Sequence, residues 1–535
     1  MKKALVFHPI LFVIFPVLFL FARNMDLFHV GTILGPIVAT ACLALLAWVA
    51  LSLVLKDTSK AGLIVSLFLL LFFSYDIFLG AIEDFVRGLG VSRAWTREYL
   101  WLCLLLVWAI LFTLGTCLLA KARRNLRNLT NVANVIASAL VVMSLINIGA
   151  YEVHTRSPWR EALSTERKEA NPADLEEAGM LPNIYYIILD GYGRADVLEE
   201  IYQHDNTDFL EYLTGKGFFV ADRSRANYMQ TTLSLASSLN LTYLDDSANR
   251  LDIESSDKTP LVRMIWDSRV VRLLKNHGYT IVAFSSGWFG TELRGADIYL
   301  APRWHPDEFQ SRLIGMTPVP VLVNQLGGPD SYALHRERIL YTFEGLADVA
   351  ELEGPIFVFA HIIAPHPPFV FGRHGEAIDP EYRFTMKDGG QIINRGRLSR
   401  DEYVHNYREQ LIFTNSRIQE AVDGILSEST RPAIVILQGD HGPGSMLDWE
   451  SADNTYLKER FSILNAYYLP NGGHTDLYDE ITPVNTFRVI LNHCLGTDYE
   501  LLEDESHFST YGRPYAFMDV TDELDNDDVG MKDVE

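Results

Sequence analysis

Cysteine is scarce. Four occur in 535 residues, and three of them, Cys42, Cys103 and Cys117, fall in the first 150. Cys494 stands alone in the rest of the chain, so no disulfide can form inside that part, and small disulfide-stapled folds are excluded. Positive charge is scarce where the chain is polar: residues 151–535 carry 33 Lys/Arg against 62 Asp/Glu, whereas the first 150 carry 12 against 6. So acidic a soluble part repels a polyphosphate backbone, which excludes nucleic acid as a partner. Internal repeats and low-complexity tracts are missing as well, which removes solenoids and arrays. What remains at this length is two or three ordinary domains, with a change of solvent near residue 150.

Long apolar runs are present. Five fill the N-terminal region, at about 5–22, 31–55, 61–82, 99–120 and 129–150, each near the roughly 20 residues that a helix needs to cross hydrocarbon. Lys2 and Lys3 before the first run also suit a signal peptide, but residues 17–23 (VLFLFAR) offer no small-residue cleavage site. The short basic segments, 2–3, 56–60 and 121–127, alternate with the mixed-charge loops 24–30 and 83–98. Positive-inside logic puts the N-terminus in the cytoplasm of a multi-pass plasma (inner) membrane protein, and everything after the fifth span outside. Asp76, inside the third run, is costly in hydrocarbon and reads as a helix-packing or headgroup-level residue, with a substrate role as the alternative.

The expected organisation is a five-helix transmembrane domain at 1–150, a juxtamembrane linker at 151–182, a catalytic domain at 183–505 and an acidic tail at 506–535. The linker contains Pro158 and Pro172, lacks a sustained apolar period and has room for one amphipathic helix. From Asp519 onward eight acids face one Lys, the composition of a solvated tail.

From Asn183 the pattern changes to short continuous apolar runs, 184–189, 280–284, 355–360 and 433–437, with helical stretches such as 262–277 and 400–428 between them. Runs without polar alternation suit strands buried on both faces of a parallel sheet, so the class is α/β. Ligands in such sheets bind at the carboxyl edge. Three runs end in residues with metal or acid–base chemistry: Asp190-Gly-Tyr-Gly-Arg194, His361-Ile-Ile-Ala-Pro-His366-Pro and Gly439-Asp440-His441-Gly442. Singly, Asp190 reads as a helix cap and Gly-Asp-His-Gly as a turn; three such ends at one sheet edge point to a site. A fourth element, from Asn227 to Asn240, reads as a helix starting near Leu233 with Thr231 or Thr232 in its first turn. A hydroxyl there sits at the positive end of the helix. With Asp190, Asp440 and His441 it offers three oxygens and one nitrogen to a divalent metal, which can activate that hydroxyl as a nucleophile.

This order of motifs resembles the alkaline phosphatase/sulfatase superfamily, and the apolar spans before an exported domain resemble its membrane-anchored branch, the lipoteichoic acid synthases and phosphoethanolamine transferases. The resemblance covers about 183–494 and implies an alkaline-phosphatase-like sheet sandwiched by helices. It implies Asp190, Thr231, Asp440 and His441 as metal ligands. Thr231 doubles as nucleophile, because Thr231-Thr-Leu-Ser234 fits the family's Thr-x-x-Ser. His361 and His366 match the transferases' His-x-x-x-x-His-x-Pro and would serve the substrate phosphate and leaving group. One divalent cation, Mn²⁺ or Zn²⁺, is implied.

The departures narrow the reaction. Sulfatases carry Cys or Ser within Cys/Ser-x-Pro-x-Arg; here Thr231, Leu233 and Leu235 occupy those places, which argues against sulfate ester hydrolysis. Phosphoethanolamine transferases of the Gram-negative envelope are disulfide-rich, and this domain is not. Lipoteichoic acid synthases place a His after the Gly-Tyr-x-Thr strand, where this chain has Ser285-Ser-Gly-Trp288. Trp288 lines a headgroup pocket or belongs to the core. The extra Asp-x-x-x-His of two-metal phosphatases is missing, and His474 and His493 carry no assignment. The expectation is a transferase that moves a phosphoryl-alcohol headgroup from a membrane phospholipid donor to a glycan or lipid acceptor. A hydrolase with the same machinery, in which water resolves the intermediate, is the alternative; other ester or phosphonate chemistry and a non-catalytic scaffold are the remaining readings.

Overall fold

Backbone amides in hydrocarbon must find their partners within the same segment, and the apolar runs do so. In the computed structural model they form α1 (His8–Ala22), α2 (Leu34–Leu55), α3 (Thr58–Gly88), α4 (Arg93–Lys121) and α5 (Arg127–Thr165). The structure describes the chain except residues 1–4, 26, 29, 89–92, 124, 166–179, 246–252, 304, 383, 395, 471–475 and 526–535. Among the described residues, four helices are long and apolar enough to cross a membrane. The fifth, α1, has 15 residues, about 22 Å at 1.5 Å per residue, shorter than the span expected over 5–22.

The chain divides into two compact units, Met1–Ser157 with Pro306–Asp330, and Pro158–His305 with Ser331–Glu535. In the first, a polar tie crosses the apolar helices. His8 Nδ1 lies 2.6 Å from Ser66 Oγ, and Asn134 Oδ1 accepts from the His8 N–H at 3.0 Å. Large apolar side chains point outward, among them Leu53, Val54, Val135 and Ile146. The unit also takes in two short helices from far along the chain, Glu308–Gly315 and Val319–Gln325, which the expected boundaries placed inside the catalytic domain.

The second unit is a seven-stranded sheet in the order β2-β7-β6-β1-β5-β3-β4. Its strands are β1 (Asn183–Leu189), β2 (Phe219–Val220), β3 (Thr280–Phe284), β4 (Ile298–Leu300), β5 (Ile356–Ile362), β6 (Ala433–Gln438) and β7 (Asn465–Tyr468). β1 pairs in parallel with β5 on one side and β6 on the other; β7 runs antiparallel to β6 and to β2. Every residue of β1, β5 and β6 is buried, and the two-residue period of a strand splits them between two cores. Tyr185, Ile187 and Leu189 pack with the long helix Arg400–Glu428, on Leu411, Ile418 and Val422. Ile184, Tyr186 and Ile188 pack with Leu235 and Leu239 of the helix Thr231–Asn240 and with Phe487 of the helix Pro483–Leu495.

Three expectations are corrected. The helix expected over 262–277 is two, Thr259–Trp266 and Arg269–Asn276, because Ser268 caps the second by accepting from the Val271 N–H. The stretch expected as a linker begins as a continuation of α5 to Thr165, since extending a formed helix is cheap; residues 166–179 of it lie outside the described residues. The expected tail begins too early. His507–Phe508 pairs with Met518–Asp519, and Phe508, Tyr515 and Val520 are buried, so apolar anchors hold residues 506–525 despite their acidity.

Candidate metal centre and active site

Parallel pairing brings three strand ends together. Ile188 of β1 is in register with His361 of β5 and with Gln438 of β6, so Asp190, His361 and Asp440 converge at one edge. Their ligand atoms lie within 4.8 Å of one another. The Gly191 N–H donates to Asp440 Oδ1 at 3.1 Å and holds that carboxylate, and the Asp190 N–H donates to the Ile362 carbonyl at 3.0 Å and holds the backbone that carries Asp190. His441 Nε2 stands 3.4 Å from Asp440 Oδ2 and 3.6 Å from Asp190 Oδ1.

The helix carrying the hydroxyls starts at Thr231, earlier than expected, with Gln230 as the extended residue before it. Thr231 Oγ1 lies 3.2 Å from His441 Nε2, whereas Thr232 is buried. The structure thus brings Asp190, Thr231, His361, Asp440 and His441 into one cluster. His366 adjoins it: its N–H donates to the Asp190 carbonyl at 3.0 Å, and its ring lies 6.2 Å from that of His441. Trp288 is half-buried, its ring 6.1 Å from His361. His474 lies outside the described residues, and His493 is in the last turn of Pro483–Leu495.

Hydrogen bonds orient the imidazoles. His441 Nδ1 is 2.9 Å from the Gly442 carbonyl and His366 Nδ1 is 2.5 Å from the Pro367 carbonyl. A carbonyl accepts only from N–H, so Nδ1 carries a proton on both rings and Nε2 of His441 faces the cluster as a bare donor of electrons when that ring is neutral. His361 Nδ1 pairs with Thr291 Oγ1 at 2.8 Å, leaving Nε2 3.3 Å from Asp190 Oδ2. Asp190 Oδ1, Asp440 Oδ2 and His361 Nε2 are buried without a hydrogen-bond partner. Two adjacent buried carboxylates with unmet oxygens are costly unless a cation joins them, so this donor set fits a divalent metal.

The charges differ in sign of perturbation. Burial opposes ionisation of Asp190, but His366, then His361 and His441, outweigh it and hold the carboxyl below its usual range. Burial lowers His366, yet Asp190 and Asp388 overcome this and raise it. Burial, reinforced by Arg460, lowers His441. One imidazole is therefore held toward the protonated form and its neighbour toward the neutral form, the separation that acid and ligand roles require.

Sequence reasoning missed the frame around these groups. Asp388 accepts from Tyr403 Oη at 2.6 Å and from Arg460 Nη1 at 2.8 Å, and its Oδ2 is 3.9 Å from His366 Nε2. Arg460, 1% exposed, also donates to the Met229 and Gly442 carbonyls at 2.9 and 3.0 Å, which ties the segment before Thr231 to the segment after His441. Buried Glu459 accepts from Ser445 Oγ at 2.5 Å, Tyr202 Oη at 2.6 Å and the Met446 N–H at 2.8 Å. Gly442 has a steric reason: a Cβ there would lie 2.0 Å from the Glu459 carbonyl. No spacing rule marks Asp388 or Arg460, since the two meet across 72 residues.

The sulfatase family matches residues 182–489. Several solved structures are similar. The C-terminal periplasmic domain of EptC from Escherichia coli, in complex with Zn, has a TM-score of 0.43 at 10% identity, covering 66% of this chain and 96% of its own. The C-terminal periplasmic domain of the phosphoethanolamine transferase EptC from Campylobacter jejuni has a TM-score of 0.37 at 12% identity, covering 61% and 92%. The integral membrane lipooligosaccharide phosphoethanolamine transferase A from Neisseria meningitidis has a TM-score of 0.36 at 13% identity, covering 92% and 96%. No curated protein matches the chain.

Proposed function

The chain belongs to the sulfatase family, within the alkaline phosphatase superfamily, and on that premise we propose that it is a membrane-anchored transferase. It moves a phosphoryl-alcohol headgroup, of phosphoglycerol or phosphoethanolamine type, from a phospholipid donor to an envelope glycan or lipid through a phospho-threonine intermediate. The observation that carries the reading is Thr231 Oγ1 at the first turn of its helix, 3.2 Å from His441 Nε2 and beside two buried carboxylates. Four apolar helices on the same chain favour a lipid donor, because an anchor raises its local concentration.

Asp190, Thr231, Asp440 and His441 would hold one divalent cation, Mn²⁺ or Zn²⁺, with His361 Nε2 in reach of the same carboxylates. Bound there, a cation supplies Lewis acidity toward the hydroxyl and the phosphoryl oxygens. The chain's own residues do the rest. Thr231 Oγ, whose proton passes to solvent before turnover, attacks phosphorus in line as the alkoxide while the bond to the diacylglycerol oxygen breaks. His366, biased toward its protonated form by Asp190 and Asp388, gives its proton to that oxygen. The acceptor hydroxyl then loses its proton to His366 and displaces Thr231, which returns the site to its starting state. Asp388 and Arg460 keep the segments carrying Thr231, His366 and His441 in place. The reaction belongs on the outer side of a plasma (inner) membrane, with the N-terminus in the cytoplasm.

The test is to incubate membranes containing the protein with phospholipids labelled in the headgroup. The reading expects diacylglycerol and a labelled glycan or lipid product in equal amounts. Label released only as the free phosphoryl alcohol means that water is the acceptor and the protein a hydrolase. Asp440→Ala should lose the bound metal in elemental analysis; unchanged metal content overturns the ligand assignment.

A further inference from the structure

The excursion 306–330 leaves the sequence of the α/β unit after β4 and belongs to the helical unit. Asp307 caps its first helix by accepting from the Gln310 N–H at 2.7 Å, with the Gln310 side chain accepting in return. That helix buries Phe309 and Leu313. Phe309 meets Phe28 edge-on at 5.3 Å, and Arg312 donates to Asn24 Oδ1 at 2.5 Å and covers the Phe28 ring. Further on, the Met316 carbonyl accepts from the Asp76 N–H at 3.3 Å, and Val321 packs on Tyr75, Leu79, Leu100 and Leu104. The first contacts fall on the α1–α2 connection and the rest on the halves of α3 and α4 that lead into their connection, the side that the charge pattern places outside. Asp76, read from sequence as a packing or headgroup-level residue, lies at this level.

The other side of the excursion is apolar and open. From Gly315 to Gly328 there is no charged residue. Ile314, Leu322 and Leu326 are exposed, Leu326 at 87%; Leu322 and Leu326 are four apart and share one side of the helix end. Val319–Gln325, at seven residues, is far too short to span. Ile77 and Phe78 of α3, next to the Asp76 that Met316 meets, are exposed as well, and a short apolar surface beside them meets the same solvent that they meet.

We propose that residues 306–330 form an interfacial lipid-binding element. Leu322, Leu326 and Ile314 enter the headgroup–acyl boundary of the leaflet at the α1–α2 and α3–α4 ends, and the occupant of this surface is phospholipid. The catalytic half of the sequence thereby carries a membrane contact of its own, separate from the spans. The inference does not depend on which reaction the active site performs.

The experiment uses the full chain with its four cysteines replaced, reconstituted in phosphatidylethanolamine/phosphatidylglycerol vesicles. Leu326→Cys carries an environment-sensitive NBD label. Val135→Cys, on the outward face of α5, serves as the lipid-exposed control, and Ser427→Cys, exposed at the end of Arg400–Glu428, as the aqueous control. The label at 326 should emit blue-shifted relative to that at 427. Acyl chains brominated near the headgroup should quench it more strongly than chains brominated near the bilayer centre. Quenching by aqueous iodide to the level of 427, without quenching by bromolipid, overturns the proposal. A blue shift quenched by neither agent also overturns it, because the surface is then covered by protein, such as a second copy. The activity of Leu322→Cys and of Leu326→Cys before labelling reports whether the fold survives, and Leu322→Cys, labelled in the same way, gives an independent second reading of the same face.

Discussion

The two units put the same residue types in opposite places. In the helical unit Leu53, Val54, Val135 and Ile146 face outward; in the α/β unit Ile187, Ile188, Ile434 and Ile436 are wholly buried. Polar groups invert as well. The helical unit ties His8, Ser66 and Asn134 together inside it, whereas the α/β unit gathers its titratable groups at one sheet edge. Hydropathy alone therefore locates a core only when the solvent is known. A continuous apolar run means lipid exposure at 20 residues and double-sided burial at six or seven.

Thr231→Ala should lower turnover by on the order of 10³ or more with the folded α/β unit intact by circular dichroism. Thr232→Ala should cost far less, since the 3.2 Å approach to His441 Nε2 is made by Thr231 Oγ1. Equal losses in steady-state assays would mean that the helix start, and not one hydroxyl, matters. Next comes the buried frame. Arg460→Met removes the nearest cation from buried Asp388 and leaves it to Tyr403 and the more distant His366, which should cost about 3–5 kcal/mol in denaturant unfolding of the α/β unit. A loss below about 1 kcal/mol would place Arg460 in solvent. Ile187→Ala, in β1, should cost about 2–5 kcal/mol through the cavity it leaves. Smallest is Leu53→Ala on the outward face of α2, expected to shift stability in a bilayer by less than about 0.5 kcal/mol. A large loss there would show that α2 packs against another protein and not against lipid.

Much of the α/β fold was legible because burial on both faces leaves an unbroken apolar word. The four runs read as strands became β1, β3, β5 and β6, and Arg400–Glu428 emerged with the expected bounds. The short edge strands β2 and β4 and the antiparallel β7 were not legible, because two to four residues carry no period. At the site, Asp190, His361, Asp440 and His441 were visible as strand ends, and the parallel register that makes them neighbours follows from the same pattern. Thr231 was separable from Thr232 only through the resemblance, and the 3.2 Å approach to His441 supplies the geometric reason. Asp388 and Arg460 were invisible, since a buried ion pair made by two loops has no local signature. The excursion 306–330 was missed for a related reason: its helices are too short for a hydropathy window, and their membership in the helical unit is a tertiary fact. The family match and the chemistry also separate here, because a fold can be shared while Thr231, and not the Cys or Ser of the sulfatase motif, stands at the helix start.

The central claim is that Thr231 becomes covalently phosphorylated by the headgroup it transfers. The direct measurement is acid-quenched capture of the protein with a headgroup-labelled phospholipid donor, followed by peptide mass spectrometry. The account predicts a phosphodiester-linked headgroup on Thr231, absent in Thr231→Ala and discharged when an acceptor is added. Label on Thr232, or full turnover by Thr231→Ala with no labelled peptide, would contradict it.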